Sequence, residues 1–159
     1  MNTYDSMPSD SRVWIYQSDR PFMGDEKNKI NDQLSQFVHQ WISHNQALKA
    51  YGSLFHNQFV VLMVDESQAG ASGCSIDSSV HFIKSLEANF QVNFFDRMNF
   101  AFLQNDKVKT AQRAIFSDLY QKQEIDGNTL VFNNLVKNKS EFESSWIVPL
   151  KDSWHARMV

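Results

Sequence analysis

Apolar positions along this chain recur in two rhythms. Ile30, Leu34, Phe37, Val38, Trp41 and Ile42 return at helical spacing, with Asp32, Gln36 and Gln40 between them. Such spacing gathers apolar side chains on one face and predicts the chain's clearest amphipathic helix, over about residues 25–44. Pro21 and Gly24 break the chain just before it, and Asp25 is the expected N-cap.

The second rhythm belongs to strands. Arg12-Val13-Trp14-Ile15-Tyr16-Gln17 is β-branched and aromatic and predicts a first strand. Residues 47–55 and 58–65 predict two more, joined at His56-Asn57, where Asn tolerates positive φ. The run Phe59-Val60-Val61-Leu62-Met63-Val64 lacks alternation. Such a strand is expected to be covered on both faces or to lie centrally in a sheet. A second helix is expected to start at Asp77 or Ser78 and to bury Val80, Ile83, Leu86 and Phe90. Residues 99–103 and 107–111 predict another hairpin around Asn105-Asp106, and 114–122 a short helix burying Ile115, Phe116 and Leu119. A turn at 126–128, a strand at 129–132 and a last short helix at 140–145 complete the pattern. Trp154 and Met158 imply that segment 150–159 docks on the body.

Mixed helices and strands joined by tight turns predict an α+β fold, with a mostly antiparallel sheet and helices packed on it. The alternative is α/β with a parallel centre, because two helices each follow a strand. Residues 1–11 are polar, contain Pro8, and are expected to form a flexible N-terminal tail before a single globular domain at 12–159.

Composition narrows the function classes. The 159 residues suit one domain. Aromatic residues make up 13% of the chain, too many for a disordered one. A single Cys excludes a disulfide scaffold. The longest apolar run falls far short of the roughly 20 residues of a membrane span. A net charge of −3 leaves no broad basic footprint for nucleic acid. The lone Cys and the lack of a basic-then-apolar start point to the cytoplasm. Thirteen Phe leave room for a homodimer face.

Candidate chemistry concentrates between Asp65 and His81. Gly70 and Gly73 lie here with Cys74, on the way from an apolar strand to a helix. Helix-start amides favour anions, and small residues let a ligand approach the backbone. Asp65, Glu66, Gly70, Ser72, Gly73, Ser75 and Asp77 are therefore candidate ligand-binding residues for a small anion or a protein partner. In a second version Cys74 is a nucleophile, His81 or His155 its base, and the loop amides the oxyanion donors. In the bland version the loop turns a corner and Cys74 is a small buried hydrophobe. Arg157 has two readings as well: a bidentate fork for a carboxylate ligand, or part of a C-terminal strap in which it pairs with a neighbouring Asp or Glu. Asp65, Glu66, Asp77, His81, Asp152 and His155 carry metal-ligating atoms, but their spacing matches no metal motif, and no motif names a cofactor.

The segments 13–20, 65–84, 131–136 and 148–158 resemble a family of small bacterial proteins of the Bacteroidetes, whose members often carry the label "ABC transporter ATPase". The resemblance covers nearly the whole chain after the first eleven residues. It implies a bacterial, cytoplasmic, single-domain protein, and its label implies ATP hydrolysis. The nearest likeness to a Walker B strand is the 59–64 run followed by Asp65-Glu66. A Walker A loop, G-x-x-x-x-G-K-[ST], does not occur, because Cys74 follows Gly73 where Lys is required. Nor does G-x-G-x-x-G or L-S-G-G-Q occur. A ligand- or protein-binding module is thus the leading expectation, followed by a small enzyme using Cys74 and then by an ATPase.

Overall fold

A computed structural model describes residues 2–159. In chain order the elements are β1 (Arg12–Gln17), α1 (Asp25–Gln40), β2 (Ile42–Ser43), β3 (Gln46–Ala47), β4 (Lys49–Phe55), β5 (Phe59–Asp65) and α2 (Gly73–Phe90). There follow β6 (Asn99–Gln104), β7 (Lys107–Gln112), α3 (Arg113–Gln121), β8 (Leu130–Phe132), α4 (Lys139–Ser145) and β9 (Ile147–Pro149). Two 3-10 turns, Leu150–Asp152 and Trp154–Met158, end the described chain.

The unbroken apolar run of β5 explains the architecture. With no polar face to give to water, β5 sits between β1 and β4 and is covered on both sides. Its even-numbered residues, Val60, Leu62 and Val64, pack with Ile30 and Leu34 of α1 and Ile83 and Leu86 of α2. Its odd-numbered residues, Phe59, Val61 and Met63, face the second sheet, where Ala101, Phe132 and Trp146 await them. That second sheet has the order β7-β6-β8-β9. Its far face carries Phe100, Phe102 and Val131 against Phe116 of α3 and Leu150. The result is four layers: helices, sheet, sheet, then helix and 3-10 turns. All the strand pairings are antiparallel. The fold is a single α+β domain, and the α/β alternative falls with the absence of parallel pairing among the described residues.

Local chemistry moved several expected boundaries. The first helix stops at Gln40 rather than near His44, because Trp41 turns extended and sends its indole N–H to the Ser75 carbonyl at 2.8 Å. His44 and Asn45 then take positive φ and close a small β2–β3 hairpin. The same double positive φ occurs at His56-Asn57 and Asn105-Asp106, as two-residue hairpin turns require. The second helix begins at Gly73 rather than at Asp77 or Ser78. Ser72 and Ser75 form a reciprocal capping box, each hydroxyl accepting the other's amide. Gly73 and Cys74 therefore belong to the first helical turn.

Residues 2–11, expected to be a flexible tail, make defined contacts. Met7 is buried between the sheets at 3% exposure, Asn2 donates to the Ala50 carbonyl, and Tyr4 donates to Glu143. Among the described residues, no helix is long and apolar enough to cross a membrane.

Candidate functional site

The 65–77 segment spends its own polar groups on itself. The Ser67 amide donates to Asp65 Oδ1 at 3.0 Å, and the Ala71 amide donates to Glu66 Oε2 at 2.9 Å. The Ser67 amide, helped by its hydroxyl, holds the Asp65 carboxyl below the usual carboxylate range. Ser72 and Ser75 occupy one another at the helix start. Amides already bound to carboxylates and hydroxyls offer little to an incoming anion. The pair that most resembles a Walker B end, Asp65-Glu66, is thus folded back onto its own loop. Asp77 is exposed on α2, and Gly70 sits against the Glu66 side chain.

The thiol candidates are brought no closer together. Cys74 is free and exposed, so the bland reading of it as a buried hydrophobe is corrected. His81 is also exposed on α2 but lies seven residues on, about 10 Å along the axis. A base must stand within hydrogen-bond reach of its nucleophile, about 3 Å. His155 lies in the opposite outer layer. It is 1% exposed, stacked on Trp154 at 3.7 Å and edged by Phe100 and Phe116. Burial pushes its imidazole down to about 4. Among the described residues, no group of three or more His, Cys, Asp or Glu side chains is arranged to hold a metal ion.

The C-terminal segment does dock. Trp154 donates its indole N–H to Asn133 Oδ1 at 3.0 Å, and Trp154 and Met158 pack onto the far face of the second sheet. Arg157 departs from the strap reading, which gave it an acidic partner. The two ion pairs among the described residues are Arg20–Glu26 and Lys122–Asp118. Instead, Arg157 stands at the rim of a shallow concavity of about 500 Å³, together with Arg113, Ala114, Ser117, Met158 and Val159. Neither guanidinium has a hydrogen-bond or ion-pair partner among the described residues, the Val159 carboxylate included.

Arg113 comes to the rim because it is the first residue of α3, directly after β7. Its backbone amide is fixed by the Met98 carbonyl at 3.1 Å. The N-terminus of α3 has no side-chain cap, so its free amides add partial positive charge beside the two guanidiniums. The Ser117 hydroxyl stands one turn further along the same helix. Sequence reasoning found Arg157 and missed Arg113 and Ser117. A signal was present: no acidic residue occurs from Lys107 to Ser117, a stretch that carries Lys107, Lys109 and Arg113.

Comparison with known proteins finds no matching family model, no matching curated protein and no matching solved structure.

Proposed function

We propose that the protein is a binding module for an acidic ligand, a carboxylate or a phosphate, held between Arg113 and Arg157. One observation carries this reading: two guanidiniums without counter-ions border the same concavity. Guanidinium forks match the paired oxygens of carboxylate and phosphate, and such charge-assisted bonds are roughly twice as strong as neutral ones. The expected 65–81 loop site draws less support, because the amides of Ser67, Ala71, Ser72 and Ser75 already have partners within the loop. An enzyme built on Cys74 draws less support, since neither histidine stands where a base is needed. The exposed, unpaired Cys74 suits a reducing cytoplasm, where we place the protein.

Calorimetric titration with citrate and with inorganic phosphate at low ionic strength tests the reading. Saturable binding is expected, weakening with added salt. Arg113→Ala and Arg157→Ala should each weaken it by about tenfold or more. Binding that is unchanged in both variants, or absent from the unaltered chain, overturns the site.

A further inference from the structure

The sheet that carries the arginine concavity also leaves one long edge open. The edge of β1 is taken by segment 137–138: the Val13 amide donates to the Lys137 carbonyl at 2.9 Å, and Arg12 bridges Asn138. On β4 the Leu54 amide donates to Asn31 Oδ1 at 3.0 Å. The strand β9 has three residues and ends in Pro149. By contrast, β7 has six residues and pairs only with β6, with nothing hydrogen-bonded along its outer side among the described residues.

The hairpin at Asn105-Asp106 fixes which groups are free. In a two-residue hairpin the flanking pair, here Gln104 and Lys107, exchanges both bonds. Lys107, Lys109 and Ala111 therefore spend their backbone groups on β6, and Val108, Thr110 and Gln112 turn theirs outward. The side chains sort by face. Lys109 stands opposite Phe102 and Ala111 opposite Phe100, so Lys107 and Lys109 lie on the outer face that also carries α3. Arg113 follows directly, with Arg157 across the concavity. Neither lysine has an ion-pair partner among the described residues.

We propose that β7 accepts an extended acidic segment of another protein as an added strand, with acidic side chains over Lys107 and Lys109 and a further carboxylate between Arg113 and Arg157. This rests on the anion-site reading above and names its ligand class. Acidic residues at alternate positions of a strand fall about 7 Å apart on one face, which is the spacing of Lys107 from Lys109. Lysines on an edge ordinarily discourage strand addition. An acidic strand is the kind they admit, so the same residues supply both exclusion and selection. Backbone bonds then give affinity and side chains give specificity, as in other strand-addition complexes.

A short peptide alternating glutamate with valine, titrated into the full chain at low salt, tests the proposal, with amide exchange followed by NMR. Exchange should slow at Val108, Thr110 and Gln112. Lys107→Glu together with Lys109→Glu should weaken the peptide by about tenfold or more. Thr110→Pro removes one outward N–H and leaves the β6 ladder intact; it should lose the peptide and keep citrate. Peptide binding without protection at those three amides overturns strand addition, and this readout on the unaltered chain decides even where Thr110→Pro fails to fold. Citrate binding without peptide binding overturns the strand and leaves the anion site standing; loss of both overturns both. Preference for a single-stranded oligonucleotide, or self-association through the same amides, overturns the acidic-protein partner.

Discussion

His155 holds an imidazole where water cannot reach it. One ring face lies on Trp154, and Ser153 Oγ sits 2.7 Å from Nδ1. Burial pushes its pKa down to about 4, so the folded protein keeps it neutral through a range in which the unfolded chain protonates it. Its contribution to stability is therefore complete above the ordinary histidine value of about 6.5 and falls as pH drops toward 4. The loss is at most about 3 kcal/mol. His56, an exposed residue whose ring stands edge-on to Phe132 and Trp146, is also pushed down by partial desolvation and acts with the same sign. Glu26 acts lower. Arg20 grips both its oxygens at 2.9 Å and takes its carboxyl down to about 2, so its contribution is lost only below the ordinary carboxylate range. Urea unfolding across this pH range should show a falling limb between 6.5 and 4, and His155→Phe should reduce its slope. An unchanged slope in that variant would assign the limb to His56 and other groups. In the sequence, His155 is a candidate base for Cys74 on its residue type alone. Its environment comes from Phe100 and Phe116, which are distant in sequence and reach it only through the fold.

At the scale of elements, most of the pattern was legible because burial on one or two faces leaves periodic traces. The stripe through Ile30 and Leu34 became α1, and the unbroken run of β5 became the strand covered on both sides. Two features left no such trace. The strands β2 and β3 are two residues each, too short for any period. The Ser72–Ser75 capping box involves two hydroxyls rather than the usual hydroxyl and carboxylate, so the pattern alone puts the helix start too late. Gly52 shows a third kind of hidden constraint. A Cβ at this position of β4 would lie 2.9 Å from Leu62 Cδ2 and 3.1 Å from Val38 Cγ1, so α1 can rest on the sheet there only because the residue is glycine. Gly52→Ala is expected to cost about 1–3 kcal/mol through overpacking, partly offset by the less flexible unfolded chain. Chemical denaturation of Gly52→Ala, Val38→Ala and the double variant checks this. The double variant should be more stable than the two separate losses imply, because removing the Val38 methyls makes room for the added one.

At the scale of the molecule, the space between the two sheets has to be closed at its side, and segment 2–11 does this with α4. Met7 enters the cluster of Val61, Phe142 and Trp146. The first amides of α4, on Lys139 and Ser140, donate to the Ser11 and Ser9 carbonyls, which satisfies donors a helix start otherwise leaves open. Lys139 is the pin. It is 7% exposed, its Nζ donates to the Tyr4 and Met7 carbonyls at 2.8 Å each, and it sits 4.2 Å from the centre of the Tyr4 ring. An ammonium withdrawn from water needs such partners, and here they are carbonyls and a ring face rather than a carboxylate. Lys139→Met keeps the apolar stem and removes the charge, leaving the Met7 carbonyl without its donor while the Tyr4 carbonyl keeps the Met7 amide. The expected loss is about 2 kcal/mol in urea unfolding, set by the orphaned Met7 carbonyl against a removed desolvation cost. Its location is the sharper readout. Amide exchange should accelerate first at Ser6 and Met7, whose N–H groups bond within the same turn, while β5 stays protected. Uniform acceleration across β5 and α1 would instead make Lys139 a general core residue. Unchanged exchange at Ser6 and Met7 would mean that the segment is held by Met7 and Tyr4 packing alone.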